Sequence, residues 1–188
     1  MKKTGSQTIK FDIPPTITEV ASIVGPKEAD GPLASYFDKC LEDEFWGENS
    51  WEKAESKIIK ETVNLAINKS GIPISKIDYC LAGDLLNQCI SSSFGLRDIN
   101  IPFFGVFGAC STFVESMCLA SILAESTGSN HILCAVSSHF CSAEKQFRFP
   151  LELGNQRPQS AQWTVTGSGC AIISKKRSWP IYYKYNTR

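Results

Sequence analysis

At 188 residues the chain is long enough for one well-buried domain and too short for two ordinary ones. Its 19 basic residues balance 19 acidic ones, so no global basic footprint draws the surface towards nucleic acid, and no nucleic-acid partner is expected. Residues 4–9 are polar where an export signal needs an apolar run, and glycines and charges break every stretch before about 18 apolar residues accumulate, so neither export nor a membrane span is expected.

In chain order, residues 8–11 and 17–24 are β-prone runs, separated by Pro14-Pro15 and closed by Gly25-Pro26, and read as an opening strand pair. Gly31-Pro32 then leads into 33–41, whose spacing predicts a short helix. Over 51–70 the positions Ala54, Ile58, Val63, Ala66 and Ile67 keep helical spacing, with Asn49 as the cap, Glu52 three residues on and Gly71 as the stop. Residues 77–82 form a buried strand finishing at Gly83-Asp84, followed by a shorter helix from Leu85. A strand over 101–107 comes next, then a helix from Ser111 to about Ser126 whose Leu119, Ile122 and Leu123 face the core. A buried strand over 131–137 precedes a polar, aromatic-studded loop over 138–160 and a glycine-punctuated strand pair, 162–166 and 170–174. Buried strands alternating with helices imply an α/β fold with a mostly parallel sheet covered on both faces.

The eight cysteines include no Cys-x-x-Cys pair and no Cys/His grouping at zinc-ligand spacing, so no metal site is expected. Most should be reduced and packed as small hydrophobes, and Cys80, Cys134 and Cys170 sit inside apolar runs. Cys110 differs, because it alone has a preceding strand, a glycine turn and a following helix. A thiol at a helix mouth feels the unpaired N–H groups there, which favours its thiolate, although such a cysteine can also simply fill a helix start.

In a parallel sheet, ligands collect at the carboxyl ends of the strands, and Asp84, Cys110 and His139 each follow a separate buried strand. Asp84 reads first as a cap for the helix behind it, and second as a pocket group. His139 is either a loop histidine or a site residue, whereas His131, at a strand start, reads as structural. Arg148, between Phe147 and Phe149, is either a stacked guanidinium held for an anion or an ordinary surface arginine. The glycines of 166–169 lack the Lys-Ser or Lys-Thr of a phosphate loop and enter a strand, so they let the backbone approach a neighbouring strand or a ligand. Lys175-Lys176-Arg177 reads as a solvated end, with a membrane-surface role as the alternative.

Together these segments resemble the thiolase superfamily. Phe107-Gly108-Ala109-Cys110-Ser111-Thr112 is similar to its nucleophile turn, and the run from Thr166 to Ile173 is similar to the glycine-rich strand pair closing its first half. Within that superfamily the stage V sporulation protein AD family is the nearer match. The match runs through Val24-Gly25-Pro26-Lys27-Glu28, Gly83-Asp84-Leu85-Leu86-Asn87-Gln88, Ser137-Ser138-His139 and Gln146-Phe147-Arg148. The resemblance implies a thiolase-like half over residues 1–177, layered α/β/α with a five-stranded mostly parallel mixed sheet, and a divergent basic and aromatic tail over 178–188.

It also implies a non-catalytic protein of sporulation and germination that binds dipicolinic acid and serves its uptake into the developing spore. Such a protein would be cytoplasmic and peripheral to the spore inner membrane, alongside membrane proteins of the same operon. The ligand residues so implied are Asp84, Asn87, Cys110, Ser111, His139, Arg148 and Ser168, with Cys110 a vestigial nucleophile position and no catalytic residue. A small planar dianion wants an N–H-rich or cationic pocket with an aromatic wall. No cofactor is implied, except calcium as the counter-ion of bound dipicolinate, bridging carboxylates where Asp84 would otherwise repel the ligand.

Thiolase-type chains have two similar halves, and the histidine and asparagine partners of the nucleophile come from the second half, beyond Arg188. The chain is therefore expected to be a shortened product, an isolated domain or one part of a split protein, forming a homodimer or docking a second half. Two rivals follow. One is an acyltransferase of ketoacyl-synthase type, forming a thioester on Cys110 and completed by a second half in trans. The other is an interaction module that folds against a partner covering its apolar face.

Overall fold

Strands of β-branched and small apolar residues, buried on both faces, set the centre of the molecule. The computed structural model describes residues 1–147, 160 and 164–175. A six-stranded sheet runs in the order β4 (Lys39–Cys40), β3 (Thr16–Val24), β8 (Gly167–Ser174), β7 (His131–Ser138), β5 (Tyr79–Asp84) and β6 (Phe103–Gly105). The pairs β3/β4, β5/β7 and β5/β6 are parallel, and β8 is antiparallel to both β3 and β7, which makes the sheet mixed and mostly parallel. A separate hairpin joins β1 (Lys2–Thr4) to β2 (Thr8–Lys10).

Side chains alternate along each strand, so the two faces receive different sets. On one face Cys80, Ala82, Leu133, Ala135, Cys170 and Ile172 pack beneath α2 (Trp51–Ser70) and α3 (Ile90–Leu96). On the other, Leu81, Ile132, Cys134 and Ile173 pack under α4 (Thr112–Ser126). Two short helices, α1 (Pro26–Ala29) and α5 (Phe140–Phe147), complete the described elements. Cys80, Cys134 and Cys170 are buried as anticipated, all eight cysteines are free, and burial pushes the thiols of Cys80 and Cys134 up to about 12.

Several elements differ from expectation for definable reasons. The opening strand pair is β1 with β2, and β3 enters the main sheet instead. The helix expected over 33–41 is a single 3₁₀ turn, Ala34–Tyr36, followed by β4, the sixth strand. Asp38 holds that segment along β3, accepting from the Ser22 N–H at 2.9 Å and from the Lys69 ammonium at 2.6 Å. Helix α2 forms as predicted and ends at Gly71 with φ 65, but its cap is Ser50, whose side chain accepts from the Lys53 N–H, and not Asn49. The helix expected from Leu85 starts at Ile90.

The buried stripe of α4 is Thr112, Ser116, Ala120 and Ala124 at four-residue spacing, so small residues bring the helix close to the sheet while Leu119 stays 40% exposed. The loop expected after Ser138 begins with α5. Of the final strand pair the described residues form β8; residues 164–166 are irregular, and residues 162 and 163 lie outside the described residues. So do Arg148 and the tail over 178–188.

Candidate functional site at the carboxyl edge of the sheet

The strand–turn–helix around Cys110 is built on a close approach. Val106 N–H donates to the Ala82 carbonyl at 2.9 Å, drawing the chain tightly over β5, and a Cβ at Gly83 would collide with the Val106 carbonyl oxygen. The turn behind it is locked by hydrogen bonds. Thr112 Oγ1 accepts from the Gly108 N–H at 3.0 Å and donates to the Ala109 carbonyl at 2.8 Å, while the Ser111 hydroxyl donates to the Gly108 carbonyl at 2.8 Å. Ala109 is held at φ 48, a left-handed conformation costly for a residue with a Cβ. That strained turn places Cys110, exposed, at the mouth of α4.

Beside it lies an open hollow of about 340 Å³, where the carboxyl ends of β3, β5 and β7 meet the start of β8. Cys110, Asp84 and Ser168 line it, with Ser137 and Ser138 from β7 and the rings of Phe37 and Phe113. The three sequence candidates thus come from three different elements. Gly167 sits so close to β3 that a Cβ would lie 2.8 Å from the Ile23 carbonyl oxygen, so this glycine serves strand packing; a Cβ at Gly169 would meet nothing within 4 Å. Ser168 is 7% exposed, and its hydroxyl oxygen is buried without a hydrogen-bond partner.

Asp84 is 3% exposed and caps α3, accepting from the Ser91 N–H at 2.7 Å and the Ser92 N–H at 2.6 Å. Burial raises its pKa, and the bonds from Ser92 and Ser91 oppose that rise. Both oxygens accept from backbone N–H groups at the start of α3. Among the described residues no group of three or more His, Cys, Asp or Glu side chains is placed to hold a metal ion.

The remaining candidates lie elsewhere. Asn87 is exposed in the turn after β5, and the Ser111 hydroxyl is occupied within its own turn. His139 is 1% exposed and structural: Nε2–H donates to the Glu44 carbonyl at 2.9 Å and Nδ1 accepts from the Cys141 N–H at 3.3 Å. Among the described residues no histidine lines the hollow. His131 is structural as expected, sharing a 2.7 Å hydrogen bond with the Ser174 hydroxyl.

One buried group escaped sequence reasoning. Glu55 of α2 is 3% exposed and lies behind the hollow, accepting from the Ser137 hydroxyl at 2.8 Å and the Ser142 hydroxyl at 3.4 Å. Burial first, and the charge of Asp84 second, push its pKa up to about 7. A glutamate one turn into a helix reads as a solvated position, and only the fold brings the two serines to it.

A sequence model of the stage V sporulation protein AD family matches residues 5–187. The chain is also 44% identical over 175 residues to stage V sporulation protein AD of Bacillus subtilis (strain 168). The chain belongs to the stage V sporulation protein AD family. It is thus a member of a family of sporulation proteins, and it spans about half the length of the curated relative, covering 93% of itself and 52% of that protein.

Solved structures add the fold. A variant of Xanthomonas campestris OleA aligns with TM-score 0.58 at 15% identity, covering 86% of this chain and 58% of that one. The priming β-ketosynthase of the R1128 polyketide pathway aligns with TM-score 0.59 at 14% identity, covering 89% and 52%. The 3-oxoacyl-[acyl-carrier-protein] synthase III of Aquifex aeolicus aligns with TM-score 0.56 at 12% identity, covering 86% and 54%. This member of the stage V sporulation protein AD family therefore has the α/β fold of the aligned part, somewhat over half, of those chains. Among its described residues no helix is long and apolar enough to cross a membrane.

Proposed function

We propose that this chain supplies one wall of a non-catalytic site for dipicolinic acid, in a protein serving dipicolinate uptake into the developing spore. The observation that carries the reading is the hollow itself. An exposed thiol at the mouth of α4 opens onto a space that the carboxyl ends of β3, β5 and β7 share with Phe37, Phe113 and the glycines that start β8. A flat aromatic dicarboxylate would lie against Phe37 and Phe113 and accept from the N–H groups at the mouth of α4. Asp84 is compatible with that anion because its oxygens turn towards the N-terminus of α3. Family membership supports a role in sporulation. We place the protein beside membrane proteins of its operon at the spore inner membrane, as a homodimer or with a second thiolase-like half.

Calorimetric titration of the full chain with dipicolinate, with and without calcium, tests this. Saturable binding is expected; no heat at millimolar ligand in either condition overturns the reading.

The strained turn at Ala109 favours a second reading, since a cysteine displayed at a helix mouth is how a nucleophile is presented. In that reading Cys110 takes an acyl group as a thioester, with the acid–base partners supplied in trans. Incubation with acyl-CoA followed by intact mass would then show an adduct lost in Cys110→Ala. An unmodified mass removes this reading.

A further inference from the structure

Behind the hollow, two carboxyl groups on different elements are buried together. Glu55 from α2 and Asp84 from β5 are each 3% exposed, and Asp84 lines both the Cys110 hollow and a second one of about 350 Å³ beyond it, where Glu55 lies. Ser137 makes a second link, lining the Cys110 hollow while its hydroxyl donates to Glu55. Any charge placed in the Cys110 hollow therefore acts on both carboxyls across the single thickness of the sheet.

Resting on the dianion reading above, we propose that Glu55 is a proton-linked positioning residue, and that filling the Cys110 hollow with a dianion draws a proton onto the Glu55–Asp84 pair. Among the described residues, the charged and titratable groups around the pair are these. Glu52 on α2 adds negative charge at the mouth of the second hollow, Lys145 on α5 opposes it, and the Cys89 thiol lies near Asp84. Glu144 on α5 is buried and accepts from Thr164. From α3 and β7 the pair meets the hydroxyls of Ser91 and Ser137.

The sign follows from like charges. Two added negative charges disfavour the ionised pair, so the pair binds protons more tightly when the ligand is present. By reciprocity the ligand binds more tightly when the pair is protonated. Dipicolinate keeps both carboxyls ionised near neutrality, so it contributes no proton of its own. If binding raises the pair's pKa by about one unit, affinity rises about five-fold between pH 8 and pH 6, and about half a proton is taken up near pH 7.5.

Equilibrium dialysis of the full chain with dipicolinate measures affinity, and calorimetry in two buffers of different ionisation enthalpy counts protons. Saturable binding with net proton uptake, both the uptake and the pH slope flattening in Glu55→Gln while binding persists, is the expected result. A merely structural Glu55 would lower affinity at every pH and leave the slope unchanged, which overturns the proposal. Binding by the native protein without uptake, or with proton release, also overturns it and leaves the dianion reading standing. No binding in dialysis overturns the dianion reading itself, and this proposal with it.

Discussion

Replacing Gly83 with alanine probes the close approach that sets the Cys110 turn. The new Cβ would lie 2.9 Å from Thr112 Cγ2 and well inside contact with the Val106 carbonyl oxygen. Neither atom is free to retreat. Val106 is tied to Ala82 by its N–H at 2.9 Å, and Thr112 Oγ1 closes the turn by two hydrogen bonds. Overpacking a core with one carbon costs about 1–3 kcal/mol, and a clash with fixed backbone belongs at the upper end, about 3 kcal/mol. For a chain of this size that lowers the melting temperature by about 6–12 °C. Gly169→Ala is the matched control, because its Cβ meets nothing within 4 Å; its stability should stay within about 0.5 kcal/mol of native. Thermal melts followed by circular dichroism measure both. A Gly83→Ala protein melting within about 2 °C of native refutes the claim that β5 and the Cys110 turn are held at contact distance.

Other consequences are accessible to the same methods. Glu55 has its pKa raised in the folded chain, so the folded state binds more protons than the unfolded state between the ordinary carboxyl range and about 7, and stability falls as pH rises through that window. Glu55→Gln should therefore melt higher than native above about pH 7.5, by about 2–3 kcal/mol, with the gain vanishing below about pH 5; equal melting temperatures at both pH values contradict this. Ser50→Ala removes the α2 cap and should cost about 1 kcal/mol, read as a lower urea midpoint with unchanged slope. Alkylation followed by mass mapping should label Cys40, Cys110 and Cys118 in the native protein, while Cys80, Cys134 and Cys170 react only on unfolding; early labelling of Cys134 would contradict the sheet order.

Much of the architecture is written locally. Helix α2 declares itself through period and its glycine stop, and the central strands through apolar runs. What the sequence hides are features made by distant partners. Strand β4 exists because Asp38 reaches Ser22 and Lys69, and nothing within residues 33–41 announces that pairing. Leu119 was placed in the core by periodicity, yet the helix buries its smaller residues so that it can lie close to the sheet. The candidate site divides in the same way. Cys110, Asp84 and Ser168 follow strand ends or glycine turns, positions that topology alone brings to one edge. His139 occupies such a position too, but the Glu44 carbonyl, 95 residues earlier, takes its ring away from the hollow. Glu55 was invisible because its partners Ser137 and Ser142 lie 82 and 87 residues further along.

The central claim is that a planar dianion occupies the hollow beside Cys110, and the thiol itself reports on it. The rate of iodoacetamide alkylation should be measured at each exposed cysteine, with and without saturating dipicolinate. The account predicts that Cys110 slows several-fold while Cys40 and Cys118, outside the hollow, keep their rates. An unchanged Cys110 rate at a ligand concentration that saturates binding would place the ligand elsewhere and contradict it.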